Sequence, residues 1–340
     1  MFIPPVVALL ITAATVVAQP GLPPRYRAPG VAFRLTPDYG LASIYLKDGT
    51  SVSIAQVRGT PEYEAFMRKP LHSAWKTQST LCRYLTPAID YLSLLFGPAI
   101  RVCRNPKIES TLGVMHSLKA AVEAYLGTNI CFAKLSIDVL EEVKIKIVRE
   151  ALQALGLREV LPIAPTAKFV VYEYKPYMGT PPAYDEDPWI ILTIDYSKHW
   201  YNVGLMAIDE VGIADPVPGF FKGPTIDKEH QLEAMGRSLR HIIANLPDDV
   251  YDLPKQIHQI MIYGDDAKNE SLHDLLTTML GTDLVRNARV SNSIFDGTNF
   301  TAYTAHLNMD TFDFPRPPWG CRWRSSLYDE PHHDDIQTEL

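Results

Sequence analysis

After its first twenty residues the chain has no long apolar run, so nothing beyond that point reads as a membrane span. It has no excess of basic charge either. Thirty-two Lys and Arg stand against 39 Asp and Glu, and the resulting net charge of −7 lacks the electrostatic footprint of a nucleic-acid binder and suggests only solubility. There is no CxxC pair and no His/Cys spacing of the kind that holds a metal. The group Asp329, Glu330, His332, His333, Asp334 and Asp335 stands in a polar tail and reads as a solvated run. What is present is 46% hydrophobic and 21% charged content over 340 residues, enough for large cores and roughly two domains, which excludes disorder.

Residues 1–18 read as a signal peptide. The apolar stretch from Val6 to Val17 ends in small residues before Gln19-Pro20-Gly21, and it is too short to cross a bilayer about 30 Å thick. The usual positive leading region is missing, and an uncleaved anchor is the alternative. Cleavage after Ala18 predicts a chain that is secreted or resides in the secretory-pathway lumen, with no membrane association afterwards. An oxidising compartment makes Cys82, Cys103, Cys131 and Cys321 candidates for two disulfides, with three possible connectivities. Cys82 with Cys103 is the preferred pair because it closes a short loop, and Cys131 alternatively reads as a buried thiol. Asn269-Glu270-Ser271 and Asn299-Phe300-Thr301 are candidate glycosylation sites.

A proline-rich lead over 19–30 precedes three β-like runs, Val31 to Leu35, Leu41 to Leu46 and Ser51 to Ala55, the last two joined by a Lys47-Asp48-Gly49-Thr50 turn. Residues 56–110 lack a clean period and read as an insertion. Then come a helix over Thr111 to Leu126, a strand over Cys131 to Ile137, and a helix starting at Asp138 with Glu141 as its capping-box partner and Gly156 as its stop. A short strand from Arg158 to Pro162 and a helix opened by Pro165-Thr166 complete a first half over 31–186. The second half, 187–309, repeats the order with strands Trp189 to Asp195, Val203 to Ile208 and Gly212 to Asp215, and a helix from about Ile226 to Asn245. Strand Ile257 to Tyr263, helix Ser271 to Leu280, strand Leu284 to Val290 and helix Thr298 to Leu307 follow, and 310–340 form a tail. The order β-β-β-α-β-α-β-α, met twice, predicts an α/β protein of two similar lobes facing a cleft.

Leu118-Lys119-Ala120-Ala121-Val122-Glu123-Ala124-Tyr125-Leu126-Gly127, the strand into Ile137-Asp138-Val139, the helix end Ala154-Leu155-Gly156-Leu157 and Ala164-Pro165-Thr166-Ala167 occur in an order and spacing that resemble a known family. The resemblance is to the nucleotide-binding domain of the 70-kilodalton heat-shock chaperones, within the actin-like ATPase superfamily, and spans roughly residues 31–309. It implies the two-lobed, ribonuclease H-like actin fold and an ancestral ATP site between the lobes.

The motifs that would hold the phosphates depart from the family pattern. Its first hairpin, D-L-G-T-T-Y, matches Arg34-Leu35-Thr36-Pro37-Asp38-Tyr39, where the acid is now Arg34, the glycine Thr36, and Pro37 removes a backbone donor. Its second, D-L-G-G-G-T-F-D, matches Asp195-Tyr196-Ser197-Lys198-His199-Trp200-Tyr201-Asn202. Asp195 is kept while side chains replace three glycines that would let phosphate approach the main chain. Lys198 and His199 alternatively offer positive charge to an anion. Ala164 stands where the family has a catalytic glutamate, and Gly264 is kept on the adenosine side with Asp265 in place of a second glycine. The degenerate nucleotide site thus comprises Asp195, Lys198, Gly264 and Asp265. Neighbours as close as Asp195, Ser197 and His199 lack the geometry of a serine triad, and Trp200, Tyr201, Tyr172, Tyr174 and Tyr177 read as packing between lobes.

These losses predict a secreted, catalytically degenerate binding protein with no resident cofactor and a protein partner. The alternative is a residual nucleotide binder in which Asp195 and Lys198 still hold ATP. The roughly 31 residues after the last helix are too few for the family's peptide-binding domain.

Overall fold

The computed structural model describes residues 28–68, 106–138, 141–220, 222–225, 230–244, 256–309, 321 and 325–328. The signal sequence, Cys82, Cys103 and the acidic tail lie outside the described residues. Within them the protein is mixed α/β, with two mixed sheets and eight α-helices.

The first sheet is built on β1 (Gly30–Leu35), which pairs antiparallel with β2 (Tyr39–Tyr45) and parallel with β4 (Phe132–Ile137). β3 (Ser51–Arg58) continues outward from β2, while β5 (Arg158–Glu159) and β6 (Ala164–Pro165) both pair with β4. The second sheet has the same plan. β7 (Trp189–Ser197) pairs antiparallel with β8 (Trp200–Ile208) and parallel with β11 (Ile257–Tyr263), which carries β12 (Arg289–Val290). β9 (Ala214–Pro216) and β10 (Lys222–Thr225) both lie along β8.

The helices are α1 (Pro61–Arg68), α2 (Pro106–Leu126), α3 (Glu142–Ala154), α4 (Thr166–Tyr174), α5 (Gln231–Ala244), α6 (Glu270–Leu280), α7 (Thr282–Arg286) and α8 (Asp296–Met309). Strand alternation decides what they cover. Val31, Phe33 and Leu35 of β1 and Ala133, Leu135 and Ile137 of β4 turn one face of the first sheet toward α1, α2 and α3, which form one core with it. Ile190, Leu192 and Ile194 of β7 and Ile260 and Ile262 of β11 do the same for α5 and α6.

The opposite faces use the remaining helices in exchange. α4, although it follows the first sheet in sequence, packs Ala167, Val170 and Val171 on Ile191, Met206, Met261 and Tyr263 of the second. α8, which follows the second sheet, lies across β1, β2 and β4 of the first, and the two helices also pack on each other. Small residues allow the close approach: Thr301, Ala302 and Ala305 of α8 are buried, and a Cβ at Gly30 would collide with the Ala302 carbonyl oxygen. Each half therefore supplies a helix to the other's core, so the two cannot separate without exposing both.

Lys134, on the α8 side of β4, is 4% exposed, with its ammonium 2.7 Å from Thr304 Oγ1 and 4.6 Å from the centre of the Phe169 ring. Burial, with a smaller effect of Lys168, pulls its pKa down to about 7. A base whose folded pKa lies below its unfolded value binds fewer protons when folded, so stability falls as pH drops from about 10.5 toward 7 and stays low beneath that. Lys134→Met is expected to raise the unfolding free energy by about 1–3 kcal/mol at neutral pH, with the gain shrinking toward pH ~10, as read by urea denaturation across that range.

Several elements differ from the sequence reading. Residues 56–58 complete β3, α1 buries Tyr63, Phe66 and Met67 in the first core, and α2 starts at Pro106, so the stretch set apart as an insertion is partly integral. The expected strand over Leu284 to Val290 begins in the last turn of α7, which runs to Arg286, and only Arg289–Val290 pairs to β11. Asp138 does not cap α3, whose N-cap is Glu141 without a side-chain cap bond. Of the cysteines, Cys131 is disulfide-bonded to Cys321, 5.9 Å apart at Cα, and is not a thiol.

Candidate functional site

Arg34 and Asp195 hold equivalent places in the two sheets. Each lies near the C-terminal end of the central strand, β1 or β7, on the face turned toward the exchanged helices and just before the hairpin turn. The two side chains meet: Arg34 Nη2 lies 2.6 Å from Asp195 Oδ2. Asp138, just beyond β4, takes the other edge of the guanidinium from Nε at 3.2 Å and Nη2 at 3.0 Å. The third nitrogen, Nη1, donates to the Ile294 carbonyl at 3.2 Å, and the Tyr263 ring centre is 5.4 Å from the guanidinium carbon. Arg34 is 1% exposed and Asp195 fully buried.

This triad explains why Asp138 is unavailable as a helix cap. It also sets the local electrostatics. Burial alone would lower the Arg34 pKa, but the Asp138 and Asp195 carboxylates outweigh it and hold the guanidinium charged. Asp195 is pushed the opposite way: burial raises its pKa well above the usual carboxylate range, Arg34 opposes this, and the Asp138 and Asp265 charges add to it. Burial is the main origin of that rise, and two carboxylates sharing one cation add to it.

The hairpin turns on either side are closed by internal bonds. In the first, the Asp38 and Tyr39 amides donate to Thr36 Oγ1 at 3.2 and 3.0 Å, and the Thr36 amide donates to the Tyr39 carbonyl at 2.9 Å. In the second, the Lys198 amide donates to Asp265 Oδ1 at 2.8 Å, so a carboxylate of the chain itself sits where a bound anion would sit. His199 Nδ1 lies 2.9 Å from Asp38 Oδ2 and joins the two turns, with Arg68 on the other oxygen of Asp38. The Lys198 side chain itself is exposed. Gly264, at φ 112°, passes so close to β7 that a Cβ would collide with the Tyr196 carbonyl and the Asp195 carboxylate.

The structure therefore brings Asp195, Gly264 and Asp265 together at the end of β7, with Arg34 on Asp195, and turns the Lys198 side chain to solvent. Sequence reasoning missed Asp138 as a site residue. The signal was available in principle: an arginine in a buried strand needs a carboxylate, and Asp138 stands at the end of the neighbouring strand. The residues present do not fit a metal-bound triphosphate, because a fixed guanidinium occupies the space between the carboxylates and the Thr36, Asp38, Tyr39 and Lys198 amides already have acceptors. Among the described residues no cluster of His, Cys, Asp and Glu has metal-site geometry, and no helix is long and apolar enough to cross a membrane.

The sequons lie on different surroundings. Asn269 caps α6, accepting from the Leu272 amide at 3.2 Å. Asn299 lies within α8, and the Thr301 hydroxyl of its sequon is buried, donating to the Gly297 carbonyl at 2.6 Å.

A scan against protein-family models finds no match to this chain, and a search of curated proteins finds none either.

Proposed function

We propose that the chain is a secreted, catalytically degenerate relative of the heat-shock chaperone ATPases that keeps the two-lobed actin-like fold and acts by binding a protein partner. The observation that carries this is the Arg34 guanidinium fixed between Asp138 and Asp195, in the space where the family resemblance would place phosphate and metal. The fold part of the reading is supported by the shared plan of the two sheets, a central strand antiparallel to the next strand and parallel to a later one, and by the exchange of α4 and α8 between them. Export is supported by the disulfide between Cys131 and Cys321, since such bonds persist in oxidising compartments.

An arginine in this position acts as an internal counter-ion. It delivers positive charge to both carboxylates without a metal, and its nitrogens are already taken by Asp138, Asp195 and the Ile294 carbonyl. With the turn amides already donating inside the chain, an incoming triphosphate would have to break those bonds and displace a buried ion pair.

Titration calorimetry with ATP and ADP, with and without magnesium, is expected to give no heat of binding up to ligand concentrations of about 1 mM, which corresponds to less than about 4 kcal/mol of affinity. A micromolar affinity that disappears in Asp195→Ala would establish the residual nucleotide binder instead.

A further inference from the structure

Of the large apolar side chains that the described residues leave strongly exposed, four lie on two segments that meet beside the second sheet. Tyr177 and Tyr184 lie in the segment after α4, and Val211 and Ile213 flank Gly212 in the turn between β8 and β9. The two segments touch: Lys175 Nζ donates to the Gly212 carbonyl at 2.6 Å, and a Cβ on Gly212 would meet Lys175 and Pro181. Tyr184 is three residues beyond Pro181, within about 10 Å along the chain. Tyr184 is 90% exposed and Tyr177 and Val211 each 68%, far more than packing requires.

The turns that present them are fixed. The Gly212 amide donates to the Asp209 carbonyl at 2.8 Å and the Ile213 amide to Asp209 Oδ1 at 2.6 Å, while the Ala183 amide donates to Glu186 Oε2 at 2.9 Å. Acids adjoin the group in sequence: Asp185, Glu186 and Asp187 follow Tyr184, Glu210 precedes Val211, and all four are exposed. Of the cations beside it, Lys175 is turned onto Gly212, and exposed Arg289 donates to the Tyr177 carbonyl at 3.1 Å.

We propose that this face is a docking surface for a basic segment of a partner protein, with Lys or Arg side chains alternating with apolar ones. Tyrosines lose little rotamer freedom on binding, bury large area and accept a cation on the ring face, and the acidic rim selects positive charge. The inference rests on the reading that the chain works by binding, and it stands on residues remote from the Arg34 triad.

The probe is a short fluorescent peptide alternating Arg with Leu, compared by anisotropy with its Glu-for-Arg counterpart at low and high salt. The basic peptide is expected to bind, weaken with salt and be rejected in its acidic form. Tyr177→Ser/Tyr184→Ser and, separately, Asp185→Lys/Asp187→Lys should each weaken it about tenfold or more, while Tyr125→Ser on α2 leaves it unchanged. Equal binding of both peptides, indifference to the patch substitutions, or a dimer in sedimentation that only the patch substitutions dissolve would overturn the proposal. Circular dichroism of each variant separates a lost surface from a lost fold. No peptide binding alongside silent nucleotide calorimetry removes the docking surface alone, whereas nucleotide binding removes the functional reading and leaves the peptide result standing.

Discussion

Arg34→Ala is expected to lower the unfolding free energy by about 3–5 kcal/mol in urea denaturation, because it leaves two carboxylates in a dry site with no counter-charge. The hydrogen bonds lost are several: Asp138 loses a bidentate partner, Asp195 its contact at 2.6 Å, and the Ile294 carbonyl its donor. The pH dependence has a definite sign. Burial already lifts the Asp195 carboxyl, and removal of Arg34 takes away the one charge that opposes the lift. A carboxyl whose folded pKa is raised contributes stability that is fully present below its unfolded pKa and disappears as pH rises through the folded value. The deficit of Arg34→Ala should therefore be smaller in mildly acidic than in mildly alkaline buffer. Replacing the whole triad, Arg34→Met with Asp138→Leu and Asp195→Leu, should recover most of the loss, since no buried charge then remains. A single variant as stable as the parent at every pH would show that the guanidinium is not what neutralises the site.

The triad also shows how far the sequence could be read. The paired central strands were legible because their apolar faces alternate in β1 and run almost unbroken in β7 and β11, and their ends fall at turn residues such as Gly49 and Gly264. The helix stripe of α3 was legible for the same reason, and Ile147, Val148, Ala151 and Leu152 are its buried side. Its start was not. Asp138 followed by Glu141 has the local pattern of a capping box, and only the fold places Arg34, a hundred and four residues earlier, against it. Local pattern cannot see a charge delivered from another strand. The stretch from Leu284 failed differently: its apolar residues suit strand or helix equally, and contact with β11 decides which. Arg34 itself was legible as a replacement that spoils a phosphate loop, while its positive role as a bridge required Asp138 and Asp195 in three dimensions.

The second large effect lies at the other end of the molecule. Cys131 immediately precedes β4 of the first sheet, and Cys321 follows the whole of the second half, so their bond closes a loop with a sequence separation of 190 that contains the entire second sheet. Around it Phe132, Met309 and Tyr328 form a small core with Ala28, the Cys131 amide donates to the Tyr328 hydroxyl at 3.2 Å, and the Phe132 and Tyr328 rings meet edge to face at 5.3 Å. In the chain-entropy account a loop this long restricts the unfolded ensemble strongly, and Cys131→Ala/Cys321→Ala is expected to cost about 5 kcal/mol. Because the restriction acts on the unfolded chain, the slope of the denaturation curve should steepen along with the fall in midpoint, as the released chain exposes more surface. Tyr328→Phe, which removes only the hydroxyl that accepts from the Cys131 amide, should cost about 1 kcal/mol and leave the slope unchanged. The comparison separates a covalent constraint on the unfolded state from local packing. A midpoint shift in the double variant with no change of slope would place the effect in the packing of Phe132 and Tyr328 instead. The halves should stay together in either variant, because α4 and α8 remain exchanged and Arg34 still joins the two central strands.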